Sequence, residues 1–530
     1  MAHLTKNISK KLLGLTAGAM TLLPGSGQAG DNPKAKKGKD KDLPNIIYVL
    51  ADDLGIGDVS CFYDKGKIKT PHLDRMAAEG MRFTDAHTSS SVCTPTRYGI
   101  LTGRYNWRST LKKSVLGGYS PALIPEDRST VASMLSDAGY NTSYIGKWHL
   151  GWGWQKGADG KVDFSKPITD SPNERGFDYA YGHCGSLDMA PYVYVENGKS
   201  TMVPTKTTVN KGGSAWWRKG LTADDFVHEQ VTPNFFARAI NKVKEQANGD
   251  KPFFIYLPLP SPHTPVLPIK EFQGKSGLNP YADFVMQVDD HMGKLLQTLK
   301  DVGIEDNTLI IFTSDNGCSP AAKMNELQDK GHYPSAQFRG HKADIFEGGH
   351  RVPFIVKWPA RIKGGQVSDK TICTTDFMAT CADIVGHKLK DNEGEDSYSM
   401  IPLLKRPNSK KFKRDYTIHH SIAGRFAIRQ GDWKLAMCKG SGGWSAPRPP
   451  RKGKPAPEGW DEMPDFQLYN LKDDPGEKNN LFEKEPEKAR ELKALLMKCI
   501  DDGRSTPGAK QSNDVSPKGW PQLDDLRTAM

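Results

Sequence analysis

The chain has 530 residues, 37% of them hydrophobic and 25% charged, with a formal net charge of +11. This is too long for one compact core and suits two domains, or one large domain with an appendage; the composition excludes a disordered or fibrous chain. The basic excess points to an anionic partner, whether nucleic acid, an anionic lipid surface or a small anionic substrate.

In chain order, residues 1–29 read as a cleavable export signal. Lys6, Lys10 and Lys11 precede an apolar run over 12–23, and small residues follow at Gly27 and Ala29. The run is too short to span a bilayer, and no other stretch is apolar enough to do so. Removing the three leader lysines leaves +8. Residues 30–43, rich in Lys and Asp, read as a charged tether. From Asn45 strands and helices alternate. Short apolar strands are predicted at 46–50, 141–145, 253–257 and 309–312, and helices at 71–80, 94–102 and 128–138. A further helix aligns Tyr281, Phe284, Val288, Leu295 and Leu299 on one face. This alternation predicts an α/β fold with a mostly parallel sheet, over 44–390. Beyond it, 416–420, 425–429 and 432–437 are close-spaced strands, 440–460 a Pro/Gly/Trp-rich loop and 485–501 an amphipathic helix. Residues 391–530 therefore read as a smaller antiparallel subdomain with one helix. Eight cysteines, thinly spread and without C-x-x-C pairs, argue against a disulfide scaffold and a zinc ribbon.

Three of the strands run into polar ends: Asp52-Asp53 after the first, Ser261-Pro-His263 after 253–257, and Asp315-Asn316 after 309–312. Working residues of an open parallel sheet sit at such carboxyl ends, and these supply hard oxygen ligands for Ca²⁺ or Mg²⁺. Asp-Gly and Asn-Gly turns are the plainer reading of any one of them. The segment Cys93-Thr-Pro95-Thr-Arg97, continuing to Thr102-Gly103-Arg104, places a cysteine and an arginine at a helix start, where free N–H groups favour an anion.

That segment resembles the signature of the type I, formylglycine-dependent sulfatases. The resemblance runs from Asn45 to about Leu481. It takes in Thr70-Pro-His-Leu-Asp74, Gly146-Lys-Trp-His-Leu-Gly151, Arg339-Gly-His-Lys342 with Phe346-Glu-Gly-Gly-His-Arg-Val-Pro353, Gly431-Asp-Trp-Lys-Leu435, and 468–477. It implies an alkaline-phosphatase-like sheet flanked by helices. In that family a maturase oxidises the cysteine to formylglycine; one oxygen of the hydrated aldehyde attacks sulfur, and the other later expels sulfate. Carried over by position, Asp52, Asp53, Asp315 and Asn316 would bind one Ca²⁺ with modified Cys93. Arg97 would hold the nucleophilic hydroxyl, and His149 would orient or deprotonate it. Lys147, His263 and Lys342 would contact the sulfate. His263 would protonate the leaving oxygen, since a free imidazole titrates near neutral pH.

The group nearest in pattern is that of exported, periplasmic or secreted bacterial carbohydrate sulfatases close to N-acetylgalactosamine-6-sulfatases. It implies exo action on the 6-O-sulfate of galactose or N-acetylgalactosamine. The expected partners are a sulfated saccharide and the maturase, with no nucleic acid and no membrane span. In 182–192 an exposed Asp188 or His183 can bond sugar hydroxyls, or the loop is purely structural; Trp216 and Trp217 can stack on a sugar or pack internally. Three alternatives stand beside this: a sulfatase of other sugar or aryl specificity, a phosphodiesterase or phosphonate hydrolase of the same fold, and a polyanionic-glycan-binding protein. The last would use the basic runs Lys405-Arg406, Lys410-Lys411, Lys413-Arg414 and 448–454, which also read as solvated faces.

Overall fold

The computed structural model describes residues 43–450, 453–520 and 522–523, so the segment read as an export signal and most of that read as a tether lie outside the described residues. The large sheet has ten strands. In chain order they are β1 (Asn45–Ala51), β2 (Met81–Phe83), β3 (Asn141–Lys147), β4 (Tyr179–His183), β5 (Val195–Glu196), β6 (Lys199–Ser200), β7 (Phe253–Pro258), β8 (Thr308–Ser314), β9 (Phe354–Lys357) and β10 (Gln366–Ser368). Their spatial order is β10-β2-β9-β8-β1-β7-β3-β4-β5-β6. The central five, β8-β1-β7-β3-β4, are parallel. β9 on one side and β5-β6 on the other join antiparallel.

β1 shows why this sheet is central. Ile47, Val49 and Ala51 point into one buried cluster and Ile46, Tyr48 and Leu50 into another. A strand apolar on both faces reads as an unbroken hydrophobic run, and it needs helices above and below. α1 (Pro71–Glu79), α4 (Val231–Gln246) and α5 (Pro280–Asp301) cover the first face. α2 (Cys93–Thr102), α3 (Val131–Asp137) and α6 (Phe377–Val385) cover the second. Each fully buried Ile, Leu or Phe side chain in these layers stabilises by about 1.5–3 kcal/mol.

The small sheet runs β11 (Thr417–His420), β12 (Phe426–Gln430), β13 (Trp433–Ala436), β14 (Gln467–Asn470), all antiparallel, with α7 (Pro486–Asp501) packed on it. Its core includes Tyr105, Trp107 and Cys373 from the larger part, so the two sheets share packing. β4 and α4 are absent from the sequence expectations, although α4 sets Val231, Phe235, Phe236, Ala239 and Val243 on one buried face at helical spacing. Arg414, expected in a solvated basic run, instead buries its side chain in an ion pair with buried Asp376. All eight cysteines are unpaired. No helix among the described residues is long and apolar enough to cross a membrane.

Candidate active site

The carboxyl ends of the parallel strands converge. β1 delivers Asp52 and Asp53, β3 ends on Lys147 with His149 just beyond, β7 leads to His263, and β8 to Asp315 and Asn316. The chain after β8 must turn tightly here. A Cβ on Gly317 would lie 1.9 Å from the Gly348 carbonyl oxygen, so only glycine fits. α2 points its first residue, Cys93, into the same place, with Val92 extended before it and Pro95 in the first turn.

The three carboxylates face three cations, all buried. Lys147 Nζ pairs with Asp52 Oδ2. Arg97 donates from Nη2 and Nε to Asp315 Oδ2 at 2.7 and 3.0 Å, and its Nη2 lies 3.3 Å from Asp52 Oδ2. Arg97 Nη1 donates to the Lys147 carbonyl at 2.8 Å, which fixes the fork. Lys342 Nζ lies 2.6 Å from Asp53 Oδ1, and Asn316 Nδ2 donates to the same oxygen at 2.7 Å. His263 Nδ1 lies 2.5 Å from the Thr264 carbonyl, an acceptor only, so Nδ1 carries a proton and Nε2 faces Asp53 Oδ2 at 3.7 Å.

The electrostatics follow from this packing. Burial alone would raise the Asp52 carboxyl, but Lys147, then His263, Arg97 and Lys342, outweigh it and hold it well below the usual carboxylate range. Asp315, buried beside Asp52, is pushed upward. Lys342 is held protonated by Asp53 against the opposing effect of burial. His149 is held well below the ordinary imidazole range, by burial first and then by Lys147 and Arg97. Its Nε2 lies 2.7 Å from the Leu116 carbonyl, so Nε2 carries the proton and the neutral ring presents its Nδ1 lone pair. Burial also pushes the Cys93 thiol up, which makes the unmodified side chain a poor nucleophile.

Among the buried atoms here that have no hydrogen-bond partner are Asp52 Oδ1, Asn316 Oδ1 and His149 Nδ1. Ligand atoms of Asp52, Cys93 and Asp315 lie within 4.8 Å of one another, as do those of Asp52, Asp53 and His263. Unsatisfied buried oxygens among oxygen donors fit a hard divalent cation.

A cavity of about 300 Å³ opens over Cys93, His263 and Lys342. Its remaining wall is largely apolar, including Val115, Met189, Trp216, Ile422 and Trp444, with Asp188 and Arg218 as its charged pair. The expectation that Asp188 and His183 are exposed is corrected. Asp188 lines the cavity but is buried and ion-paired with Arg218, and its Oδ1 has no hydrogen bond. His183 is fully buried in an aromatic nest with Tyr192 and Phe226, and burial lowers it to about 4. The two tryptophans part ways: Trp216 lines the cavity, and Trp217 stacks on His228 with ring centroids 4.0 Å apart. Arg218 and Trp444 escaped the sequence reading. One adjoins the Trp216-Trp217 pair and the other sits in the 440–460 loop, which composition alone marks only as a loop.

The profile of the family described as Sulfatase matches residues 44–387. The N-acetylgalactosamine-6-O-sulfatase of Bacteroides thetaiotaomicron is 33% identical, over 93% of this chain and 99% of its own. Human arylsulfatase A is 32% identical, over 88% of this chain and 90% of its own. A solved structure from work on the metabolism of multiple glycosaminoglycans by B. thetaiotaomicron superposes with a TM-score of 0.73 at 32% identity, covering 86% of this chain and 99% of that one.

Proposed function

The chain belongs to the sulfatase family and is a sulfuric ester hydrolase, and from that premise we propose that it removes the 6-O-sulfate of a terminal galactose or N-acetylgalactosamine in sulfated glycans. The observation that carries this reading is the meeting of Cys93, His263 and Lys342 at one cavity, above Arg97, Lys147 and the Asp52, Asp53, Asp315 group. The similarity to a relative named for N-acetylgalactosamine 6-O-sulfate supports the sugar. The cavity lies at the small end of the ~300–1,000 Å³ range of ligand pockets, which suits one terminal sugar and supports exo action. The reading takes 44–390 as the catalytic part, close to the span of the family profile, and 391–530 as a subdomain closing one cavity wall. It also includes export, on the strength of the segment from Lys6 to Ala29.

Asp52, Asp53, Asp315 and Asn316 would hold Ca²⁺, which when bound polarises the sulfate oxygens and acidifies the nucleophile. Cys93, converted to formylglycine by a maturase, supplies a hydrated aldehyde as that nucleophile. The chain's own groups do the rest. His149 Nδ1, free and neutral, accepts the attacking hydroxyl's proton. Arg97, locked between Asp315 and the Lys147 carbonyl, orients the hydroxyl. Lys147 and Lys342 set fixed positive charge against the sulfate oxygens, where negative charge shifts as the sulfur–oxygen bond breaks. His263, which lines the cavity with Nε2 beside Asp53, delivers a proton from the doubly protonated ring to the departing sugar oxygen.

Sulfate release from defined sulfated saccharides, run beside phosphorylated aryl esters on the matured enzyme, tests the proposal. Fastest turnover of 6-sulfated galactose or N-acetylgalactosamine is expected. Dominant phosphoesterase turnover would overturn it.

A further inference from the structure

Resting on the saccharide reading above, we infer that Trp444 is the sugar-facing aromatic wall of the cavity and that Asp344 is its positioning residue. Of the two tryptophans lining the cavity, Trp216 already carries Arg218, whose guanidinium carbon lies 5.2 Å from the ring centroid. Trp444 is half-buried and stands in the wall on a loop of the C-terminal part. A pyranose presents an apolar C–H face, and an aromatic ring at a cavity wall is the side chain that covers such a face at low entropic cost.

One carboxylate anchors the loop at Trp444 and Ser445. Asp344 is fully buried and accepts from the Trp444 N–H at 2.7 Å, the Ser445 N–H at 3.0 Å and the Ser445 hydroxyl at 2.5 Å. Hydrogen bonds to an ionised acceptor are roughly twice as strong as neutral ones. The contact is tight: a Cβ on Gly443 would lie 2.3 Å from the Ala343 carbonyl oxygen and 2.6 Å from Asp344 Oδ1. Any side chain at 443 would lift the tryptophan away.

Asp344 belongs to the turn that carries Lys342. In that turn the Lys342 N–H donates to the Cys318 carbonyl and the Ala343 N–H to the Ser91 carbonyl, two residues before Cys93. The Ile345 N–H donates to the Ser441 carbonyl, and the Ile422 N–H to the Ala343 carbonyl. One turn thus registers the cation meant for sulfate, the approach to Cys93 and the two C-terminal loops bearing Ile422 and Trp444. Sugar recognition and sulfate chemistry are set in a single frame.

Steady-state kinetics on matured enzyme test this, with 6-sulfated N-acetylgalactosamine as substrate and inorganic sulfate as inhibitor. Trp444→Ala is expected to raise KM by about tenfold, the factor that about 1.4 kcal/mol represents. Its kcat and its inhibition constant for sulfate should stay within about twofold, since neither involves the wall. Trp444→Phe should restore KM. Asp344→Asn should raise KM in the parent and add nothing in the Trp444→Ala background, because the two act as one unit. An unchanged KM in Trp444→Ala, or an equal loss of sulfate inhibition, would overturn the wall while leaving the sulfatase reading intact. A parent enzyme that releases sulfate from no saccharide overturns the saccharide reading itself, and the wall with it.

Discussion

Two buried charge clusters lie in this molecule, and they differ less in composition than in what surrounds their unpartnered atoms. The site sets Asp52, Asp53 and Asp315 against Arg97, Lys147 and Lys342. The second cluster, between the large sheet and the small one, sets Asp85, Glu347 and Glu477 against Arg351, Arg429 and Lys434, with His87, His350 and His419 among them. Both groups bring metal-capable side chains within reach of one another. In the second, Lys434 bridges Glu347 and Glu477 at 3.1 and 2.8 Å, and His350 stacks on His419 with nearly parallel rings at 3.8 Å. His419 Nε2 and, its ion pair with Lys434 aside, Glu477 Oε1 also lack a hydrogen-bond partner, but neither lines the cavity that Asp85 and Arg429 border. Stacked rings send their lone pairs along parallel planes, which do not converge on one ion. In the first, Asp52 Oδ1, Asn316 Oδ1 and His149 Nδ1 stay unpartnered beside Cys93 and a cavity. Burial, charge count and an unpartnered atom do not by themselves mark a site; here the mark is unmet hydrogen-bonding capacity beside Cys93, with His263 and Lys342 lining the same cavity.

That contrast can be broken by mutation. Cys93→Ala should cost the largest factor, about 10⁴-fold or more in kcat, the scale of losing a nucleophile, with urea unfolding nearly unchanged. Lys342→Ala should lower kcat by about 10²–10³-fold through a lost charge at the reacting group. On the other side, Lys434→Met should cost about 3–5 kcal/mol of unfolding free energy by stripping buried Glu477 of its ion pair and leaving Glu347 to Arg351 and Arg429, while kcat per folded molecule holds. A catalytic defect in Lys434→Met without a stability loss would erase the distinction.

The smallest effect is in pH. Burial holds His87, His350 and His419 below the ordinary range. Below about pH 6.5 the unfolded chain therefore takes up protons that the folded one refuses, so these groups cost stability as pH falls through that value. His419 faces His87, His350, Lys434 and Glu347. His419→Gln should flatten the stability–pH curve between pH 6.5 and 5 by up to about 1.4 kcal/mol per unit relative to the parent. An identical slope would remove His419 from the account.

The parallel centre of the fold was legible because β1, β7 and β8 are apolar on both faces and run into Asp, His and Asn, a pattern local sequence displays. α5 announced itself through Tyr281, Phe284, Val288, Leu295 and Leu299, all of which are buried. The antiparallel strands β5, β6 and β9 were not legible, since two- to four-residue strands carry too little periodicity. Exposure was misjudged at His183 because a polar residue at a strand end looks like a site, whereas Tyr192 and Phe226 enclose this one. Trp444 was invisible because its position depends on Asp344, 100 residues earlier.

The central claim is that the Cys93 side chain, once oxidised, is the group that attacks sulfate. Preparations made with varying amounts of maturase can be scored for the mass of the Cys93 peptide and for the rate of sulfate release from 6-sulfated N-acetylgalactosamine. The account predicts a rate proportional to the converted, lighter fraction and passing through zero. Equal rates from fully unconverted thiol protein would contradict it.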